Sequence, residues 1–478
     1  MKTLKVILAS LLSVALLILP FATVICAGVL TPPQYSNTFV GALNEKYDRL
    51  HSIEESKIVV VGGSSVAFGL DSEMLERYTE MPVVNFGLYA ALGTKLMLDL
   101  SRSAIGEGDV VIISPELDPQ TLSLYFSSEE TLMALDDDFS MLLDIPAENK
   151  LSLLGGMWSF AAGKLRLMLD GTVLNPDGAY NSANFNEQGD LVYPRPENIM
   201  DVYYDENTPV NLTPDTVAPD FIDYLNDYVR ECERRGAEVF FAYCPTNELS
   251  VVDRALAASF HEFLSDSLDC EIIGTPDEAI MEAGYFYDTN FHLNDAGAAA
   301  NTVRLTRDIL FALGIPRAVA EEVPEAPKLP DVDVRYFGED ENAGYFLYEK
   351  RQGGSYKIVG LTEEGRAQTT LTIPLGYDTY KVTAIAKEAF VDATAETVVI
   401  TEDTNLRMLE NGCFSGATSV EELKILYPDA ASLAPPADFA GTSDAFRIYV
   451  PAGSDYDTHY NWVEVAGIKK ILLFSEEK

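Results

Sequence analysis

The feature that most constrains the fold is a series of short, continuously apolar runs separated by amphipathic stretches. Five runs are typical of buried strands, and they are KIVVVG, PVVNFG, DVVIISPE, AEVFFAYCP and the weaker CEIIGTP, between Lys57 and Pro276. Stretches such as SEMLERYTE and FIDYLNDYVRECERRG separate them with the periodicity of amphipathic helices. Because strands without polar alternation are buried on both faces, the pattern predicts a three-layer α/β/α fold around a parallel sheet.

The first 30 residues predict an export segment. Lys2 and Lys5 precede an uncharged apolar run from Val6 to Leu30, which is long enough to cross a bilayer and exceeds the usual core of a cleavable signal peptide. The lysines favour the cytoplasm, so we expect a single-pass membrane anchor with the rest of the chain outside the cell. A cleaved signal is the alternative, and the bulky Ile25 argues against lipidation of Cys26.

Composition divides the rest of the chain into segments. Residues 31–56 are predicted to be a stalk, and residues 57–318 the α/β domain, which closes with a helix from Asp295 to Leu313. Residues 121–213 interrupt the alternation of strands and helices and are predicted to be an insertion. Residues 319–335 are acidic and rich in proline, which is typical of a linker. Residues 336–478 are predicted to be a second domain.

This second domain contains an internal repeat. The phrases KVTAIAKEAF and NLRMLENGCF share a pattern at a 24-residue offset, which pairs Val382 with Leu406, Ile385 with Leu409 and Phe390 with Phe414. Such a period predicts a small solenoid in which each repeat buries its apolar face on the next, with the two phenylalanines packed in the core. From Tyr336 to Ile471 the motifs resemble the leucine-rich repeats of the BspA type found in bacterial surface proteins.

Charge and composition exclude several classes of function. The chain has 75 acidic and 33 basic residues, a net charge of -42, and such a surface repels nucleic acid. The five cysteines form no CxxC pair, and at most one disulfide could form among Cys232, Cys244 and Cys270. The four histidines form no HxH or HExxH motif. We therefore expect no metal and no cofactor.

Two polar motifs follow predicted strands and indicate nucleophilic chemistry. Ser64 lies where the first strand ends at two glycines, so its hydroxyl is expected at the carboxyl edge of the sheet, where open α/β sheets bind ligands. A serine nucleophile needs a base and an acid that orients the base. His292 and Asp288, in a loop before the last helix, supply this pair. Asp295 is expected to cap that helix.

Residues from Lys57 to Leu313 resemble an SGNH (GDSL-like) hydrolase, a family with a flavodoxin-like sheet. The motif GGSSVAFG resembles the family's first motif, with Gly63 in place of the common Asp, and DTNFH resembles the last. The resemblance implies that Ser64 is the nucleophile, with Ser65 left as the alternative, and that Asp288 and His292 complete the triad.

The resemblance also implies an oxyanion hole. Its donors would be the backbone amides of Ser64 and Gly87, and Asn247 is a candidate for a third donor. Glu116 stands where the family has an asparagine, and an ionised carboxylate cannot donate a hydrogen bond. Cys244, near another strand end, is expected to be a buried thiol.

The expected function is that of a serine esterase or O-acyltransferase at a bacterial cell surface. The resemblance is to exported, membrane-anchored members that handle acyl groups, so acylated polysaccharides or other envelope polymers are the expected substrates. The alternative is a surface adhesion protein in which a degenerate hydrolase fold presents repeats that bind a host or cell-surface partner. Fold by itself does not separate the two.

Overall fold

The computed structural model describes residues 16, 19–200, 202–329, 334–351, 354–457, 459–463 and 465–475. The chain divides into two compact units, Met1–Leu329 and Pro330–Lys478. Most of the predicted membrane anchor lies outside the described residues, since residues 1–15, 17 and 18 are not among them. Within the part that is described, no helix is long and apolar enough to cross a membrane.

The first unit is built on five parallel strands. The strands of this unit are β1 (Ile58–Gly62), β2 (Val83–Gly87), β3 (Val110–Ser114), β4 (Glu238–Ala242), β5 (Thr246–Asn247), β6 (Glu271–Ile273) and β7 (Ile280–Met281). The main sheet has the order β2-β1-β3-β4-β6, and β5 and β7 form a separate parallel pair. Each of the five predicted runs forms one strand of the main sheet.

Eleven helices accompany these strands in the described residues. They are α1 (residues 19–30), α2 (Leu43–Ser52), α3 (Ser64–Phe68), α4 (Ser72–Thr79), α5 (Thr94–Ser101), α6 (Ser128–Ala134), α7 (Ala147–Asp170), α8 (Pro219–Arg234), α9 (Ala257–Ser267), α10 (Pro276–Ala279) and α11 (Asp295–Ala312). The sequence places the start of α11 correctly at Asp295. Its cap is Asn294, however, whose side chain accepts the Gly297 amide at 2.9 Å, so the expectation that Asp295 is the cap is wrong.

Both faces of the sheet are buried, as the continuous apolar strands predict. Val59 and Val61 of β1 join one core cluster, which also contains residues of α5, α8 and α9. Ile58 and Val60 point the other way and pack with residues of α4 and α11, such as Leu75 and Leu305. Alternate side chains of a strand face opposite sides of a sheet, so helices cover both faces. The prediction of a mixed α/β fold with a parallel sheet is confirmed.

The second unit stacks parallel strands at a regular interval. Its strands are β8 (Phe346–Lys350), β9 (Tyr356–Leu361), β10 (Thr370–Thr372), β11 (Gly376–Tyr377), β12 (Tyr380–Ile385), β13 (Thr397–Ile400), β14 (Met408–Leu409), β15 (Glu422–Ile425), β16 (Arg447–Pro451) and β17 (Leu472–Ser475), with short helices α12 (Glu363–Arg366), α13 (Tyr460–Val463) and α14 (Ile468–Ile471). One sheet has the order β10-β13-β15-β16-β17, with all neighbours parallel.

The predicted phenylalanine ladder lies in the core of this unit. The Phe390 and Phe414 rings stack with centroids 4.9 Å apart, and both side chains are buried. Register partners such as Val398 and Leu423 are one repeat apart along the chain. The prediction that the two phenylalanines are core residues is confirmed.

All five cysteines are free thiols. The one disulfide that the sequence left open among Cys232, Cys244 and Cys270 is therefore not formed. Both units are held by packing of their apolar cores.

Candidate active site

Three neighbouring strands bring the candidate residues to one edge of the sheet. Gly62, the last residue of β1, is in register with Gly87 of β2 and with Ser114 of β3. Ser64 follows the first strand and Glu116 the third, so both lie at the same carboxyl edge of the sheet as Gly87. This is the edge at which open α/β sheets bind ligands.

The turn after β1 leaves one serine slightly exposed and buries the other completely. Ser64 is the first residue of α3 and is 7% exposed, whereas Ser65 is fully buried. Among the described residues Ser65 Oγ has no hydrogen-bond partner, while its backbone amide donates to Glu116 Oε1 at 2.8 Å. A Cβ at position 63 would overlap the Glu116 carboxylate, so a larger residue there would have to displace this side chain. Ser64 is therefore the more exposed of the two serines.

The predicted acid and base pair is formed. His292 Nδ1 lies 2.7 Å from Asp288 Oδ1, and the two side chains are only 7% and 13% exposed. The Tyr180 hydroxyl donates to the other carboxylate oxygen, Asp288 Oδ2, at 2.7 Å. The backbone holds the loop closed, since the Tyr287 amide donates to the His292 carbonyl at 2.8 Å. With Nδ1 bonded to the carboxylate, Nε2 of His292 is the nitrogen left for proton transfer.

A stacked aromatic ring places His292 beside the serine helix. The His292 and Phe68 rings are nearly parallel, at 10°, with centroids 3.9 Å apart. Phe68 is the last residue of α3 and lies one turn after Ser64, so the two side chains project from the same face of the helix. The Phe68 ring, on which His292 stacks, therefore lies on the same helix face as Ser64.

The Ser64 hydroxyl is bonded to Glu116 and not to the histidine. Ser64 Oγ donates to Glu116 Oε1 at 3.4 Å, and no hydrogen bond joins it to His292 among the described residues. A rotation of the serine side chain is needed before the imidazole can take its proton. Catalytic hydrogen bonds are often long or misaligned without substrate, so this arrangement is compatible with a triad.

Glu116 is the most unusual electrostatic element of the site. It is 1% exposed, and its second oxygen, Oε2, has no hydrogen-bond partner in the part of the chain that the structure describes. Burial raises the pKa of the Glu116 carboxyl, and the nearby Asp118 adds to this, while the Ser65 amide and His292 act in the opposite direction. The balance favours the neutral acid more than in water.

Gly87 and Asn247, two of the three predicted oxyanion donors, differ in their surroundings. The Gly87 amide lies at the site edge and donates to Asn85 Oδ1 at 3.2 Å, a long contact that a stronger acceptor could replace. Asn247 is fully buried, and its Nδ2 donates to the Tyr203 carbonyl at 2.8 Å while its Oδ1 accepts the Leu249 amide at 3.0 Å. The structure does not bring Asn247 into contact with Ser64, and its oxyanion role stays a prediction.

Residues that sequence reasoning missed connect the strand-end motifs. Tyr180 and Phe68 contact the acid and base pair, but an isolated Tyr or Phe carries no sequence signal for such a role. Asn85 donates from Nδ2 to the Val66 carbonyl at 2.9 Å and so ties β2 to α3. The polar Asn within the apolar run PVVNFG is the one signal that could have indicated this.

Cys244 is a buried thiol, as expected. Burial raises the pKa of the Cys244 thiol, and the Glu116 charge raises it further. Such a thiol is a poor nucleophile. Within the described residues, no group of three or more His, Cys, Asp or Glu side chains could hold a metal ion.

Comparisons with known proteins give no match: no family model, no curated protein and no solved structure is significantly similar to the chain.

Proposed function

We propose that the first unit is a serine esterase or O-acyltransferase of the SGNH type, with a flavodoxin-like strand order. The observation that carries this proposal is the Asp288–His292 pair stacked on Phe68, one helical turn from Ser64. A histidine oriented by a carboxylate beside a serine at a strand end is the arrangement that acyl transfer requires.

The chemistry follows from these positions. Ser64 Oγ attacks the acyl carbon while His292 Nε2 takes its proton, and Asp288 stabilises the imidazolium that forms. The Ser64 and Gly87 amides would hold the oxyanion, each donor being worth about 3 kcal/mol. His292 then protonates the leaving alcohol, and water or a sugar hydroxyl accepts the acyl group from Ser64. We propose acylated polysaccharides of the cell envelope or its surroundings as the substrates.

The second unit would be a leucine-rich repeat solenoid of the BspA type that binds a surface partner. Its single-strand repeats and stacked Phe390 and Phe414 rings support this proposal. Export and anchoring of the chain at a bacterial membrane belong to the same proposal, on the evidence of the N-terminal sequence.

One observation favours a second candidate function. The Ser64 hydroxyl is directed to Glu116, a residue that replaces the usual asparagine donor. A fold with this arrangement and no turnover would serve as a spacer for an adhesive repeat domain.

The test is to label the purified full-length chain with a serine-directed fluorophosphonate and to locate the adduct by mass spectrometry. We expect the adduct on Ser64, no labelling of Ser64→Ala, and retained labelling of Ser65→Ala as the matched control. His292→Ala should slow hydrolysis of small acetyl esters by about three orders of magnitude or more, because triad members act as a unit. Absence of both labelling and ester hydrolysis in the folded wild type would favour the adhesive alternative.

A further inference from the structure

The insertion contains a long helix with an exposed apolar stripe. Leu151, Leu154, Trp158 and Leu169 of α7 recur at helical spacing and are 70%, 69%, 44% and 78% exposed. The opposite face of α7 is buried against the domain. A helix at a protein–water surface normally carries charged side chains on its outer face. The 13 residues from Leu151 to Gly163 carry no charge at all.

Helix α1 packs directly on α7 and covers part of this stripe. The Phe21 and Trp158 ring centroids are 5.0 Å apart, and a Cβ on Gly28 would overlap the Ala161 backbone. Small residues that let two helix backbones touch are typical of helix pairs in membranes. Lys164 Nζ donates to the Thr31 carbonyl at 2.8 Å and forms a third contact. The residue numbers of the three contacts rise together, so the two segments run in the same direction.

The exposed side chains of α1 extend the same apolar surface. Leu19, Phe21 and Leu30 are 62%, 57% and 83% exposed, and residues 19–30 contain no charged side chain. They are the last part of the uncharged run from Val6 to Leu30, which is long enough to cross a bilayer. Contiguous exposed apolar surface of this kind marks a contact with a partner or a membrane. Because the uncharged run from Val6 to Leu30 leads into this surface, the membrane is favoured over a protein partner.

We propose that α7 lies in the interface of the lipid bilayer, where its apolar stripe forms a second membrane contact beside the N-terminal segment. An uncharged stretch of 13 residues is too short to span a bilayer, and its exposed apolar side chains fit a segment that lies in the interface. Lys150 and Arg166 lie on either side of the uncharged stretch, as expected for side chains that reach the headgroups. The inference rests on the N-terminal anchor and is independent of the chemistry at Ser64.

The two tryptophans of the chain allow a direct test. Trp158 lies in the stripe, and Trp462 is fully buried in the second unit. The full-length Trp462→Phe variant, purified in lipid nanodiscs, therefore reports on Trp158 alone. We expect an about twofold loss of its emission with lipid brominated near the headgroup, and a smaller loss with lipid brominated deep in the chains, because interfacial helices bury their apolar face ~5–10 Å.

Matched variants make the test specific. The Trp158→Phe variant reports on Trp462 and should show no loss with either lipid. In the Trp462→Phe background, Leu154→Glu should reduce the quenching, whereas Leu426→Glu, at an exposed position of the second unit, should not.

Three results would overturn the proposal. The first is that Trp158 emission does not change in brominated nanodiscs. This result counts against the proposal both when aqueous iodide quenches Trp158, so that the ring faces water, and when iodide does not, so that protein covers the ring. The second is stronger quenching by the deeply brominated lipid, which would place the stripe in the bilayer core. The third is failure of the full-length chain to associate with nanodiscs.

Discussion

At the scale of single residues, Glu116 joins the serine turn to the acid and base pair. Its carboxylate accepts the Ser65 amide and the Ser64 hydroxyl, and its charge interacts with His292. In the neutral form the carboxyl has a proton of its own and is a weaker acceptor for the serine hydroxyl. Protonation of Glu116 therefore favours release of Ser64 toward His292.

The raised pKa of Glu116 predicts how stability depends on pH. Between the pKa of the unfolded chain and the higher pKa in the fold, the folded state binds more protons, so this carboxyl makes the protein less stable as pH rises. Glu116→Gln has no titrating group at this position and does not lose stability in this way as pH rises. We expect the stability of Glu116→Gln relative to wild type to improve from pH 5 to pH 8. The improvement should be about 1.4 kcal/mol for each tenfold difference between the proton affinities of Glu116 in the folded and unfolded chains.

Thermal or urea unfolding of both proteins at several pH values measures this difference. Other titrating groups contribute equally to both proteins and cancel. A constant difference across the pH range would show that Glu116 titrates normally, and Glu76→Gln, at a partly exposed carboxylate, is the control.

The sequence was sufficient to predict the Asp288–His292 contact but not its surroundings. Asp288 and His292 are four residues apart in one loop, so local spacing was enough to predict their contact. Tyr180 comes from a distant part of the chain, and its bond to Asp288 exists only because the insertion folds over the sheet edge. Asn247 shows the opposite case, since a strand-end position did not reveal that its side chain bonds to the backbone of Tyr203 and Leu249.

At the scale of secondary structure, periodicity predicts the strands better than it predicts α7. The sequence indicates a helix around MWSFAAGKLRLML, but α7 begins at Ala147, before Gly155 and Gly156. Two glycines disfavour a helix by about 1 kcal/mol each. Tertiary contacts offset this cost, among them the bond from Lys95 Nζ to Asn149 Oδ1 at 2.8 Å. Such contacts cannot be read from a local window.

A buried ion pair fixes the other half of α7. Lys164 Nζ lies 2.5 Å from Asp136 Oδ1, and each side chain is 1% exposed. The Gln34 amide donates to the second oxygen of Asp136 at 2.7 Å, so the pair also holds the segment after α1. Removal of one partner leaves a buried charge without compensation.

We therefore expect Lys164→Met to destabilise the first unit by about 3–5 kcal/mol. Urea unfolding of the Trp462→Phe background, followed by Trp158 emission, reports on this unit alone. The double variant with Asp136→Asn should recover part of the loss, because no unpaired charge remains.

Arg166→Met is the matched control on the same helix. Arg166 and Asp170 are 3.5 Å apart but largely exposed, so the change should be below about 1 kcal/mol. Similar losses for the two variants would contradict a special role of the buried pair.

At the scale of the whole molecule, the 24-residue repeat and the change of composition indicated two different folded parts. The boundary between the two compact units falls between Leu329 and Pro330. Composition alone did not show that residues 319–327, predicted as linker, contact the first unit. The Tyr285 hydroxyl donates to the Pro324 carbonyl at 2.7 Å, and the Ala320 amide donates to the Tyr78 hydroxyl at 2.9 Å. Proline and acidic residues indicate that a segment is stiff and soluble. They do not reveal which side chains of the domain it contacts.

The position of these contacts predicts the shortest stable form of the first unit. A chain that ends at Leu329 should fold, unfold at the temperature of the first unit in the full-length protein, and keep any activity toward small esters. A chain that ends at Leu313 also loses Arg317, which donates to the Tyr78 carbonyl at 2.6 Å. Each lost hydrogen bond is worth about 0.5–1.5 kcal/mol, so we expect a melting temperature lower by about 4 °C or more. Calorimetry of the two truncated chains beside the full-length protein measures both values. Equal melting temperatures for the two truncated chains would mean that residues 314–329 do not stabilise the first unit, and aggregation of the chain that ends at Leu329 would mean that the first unit needs the repeats to fold.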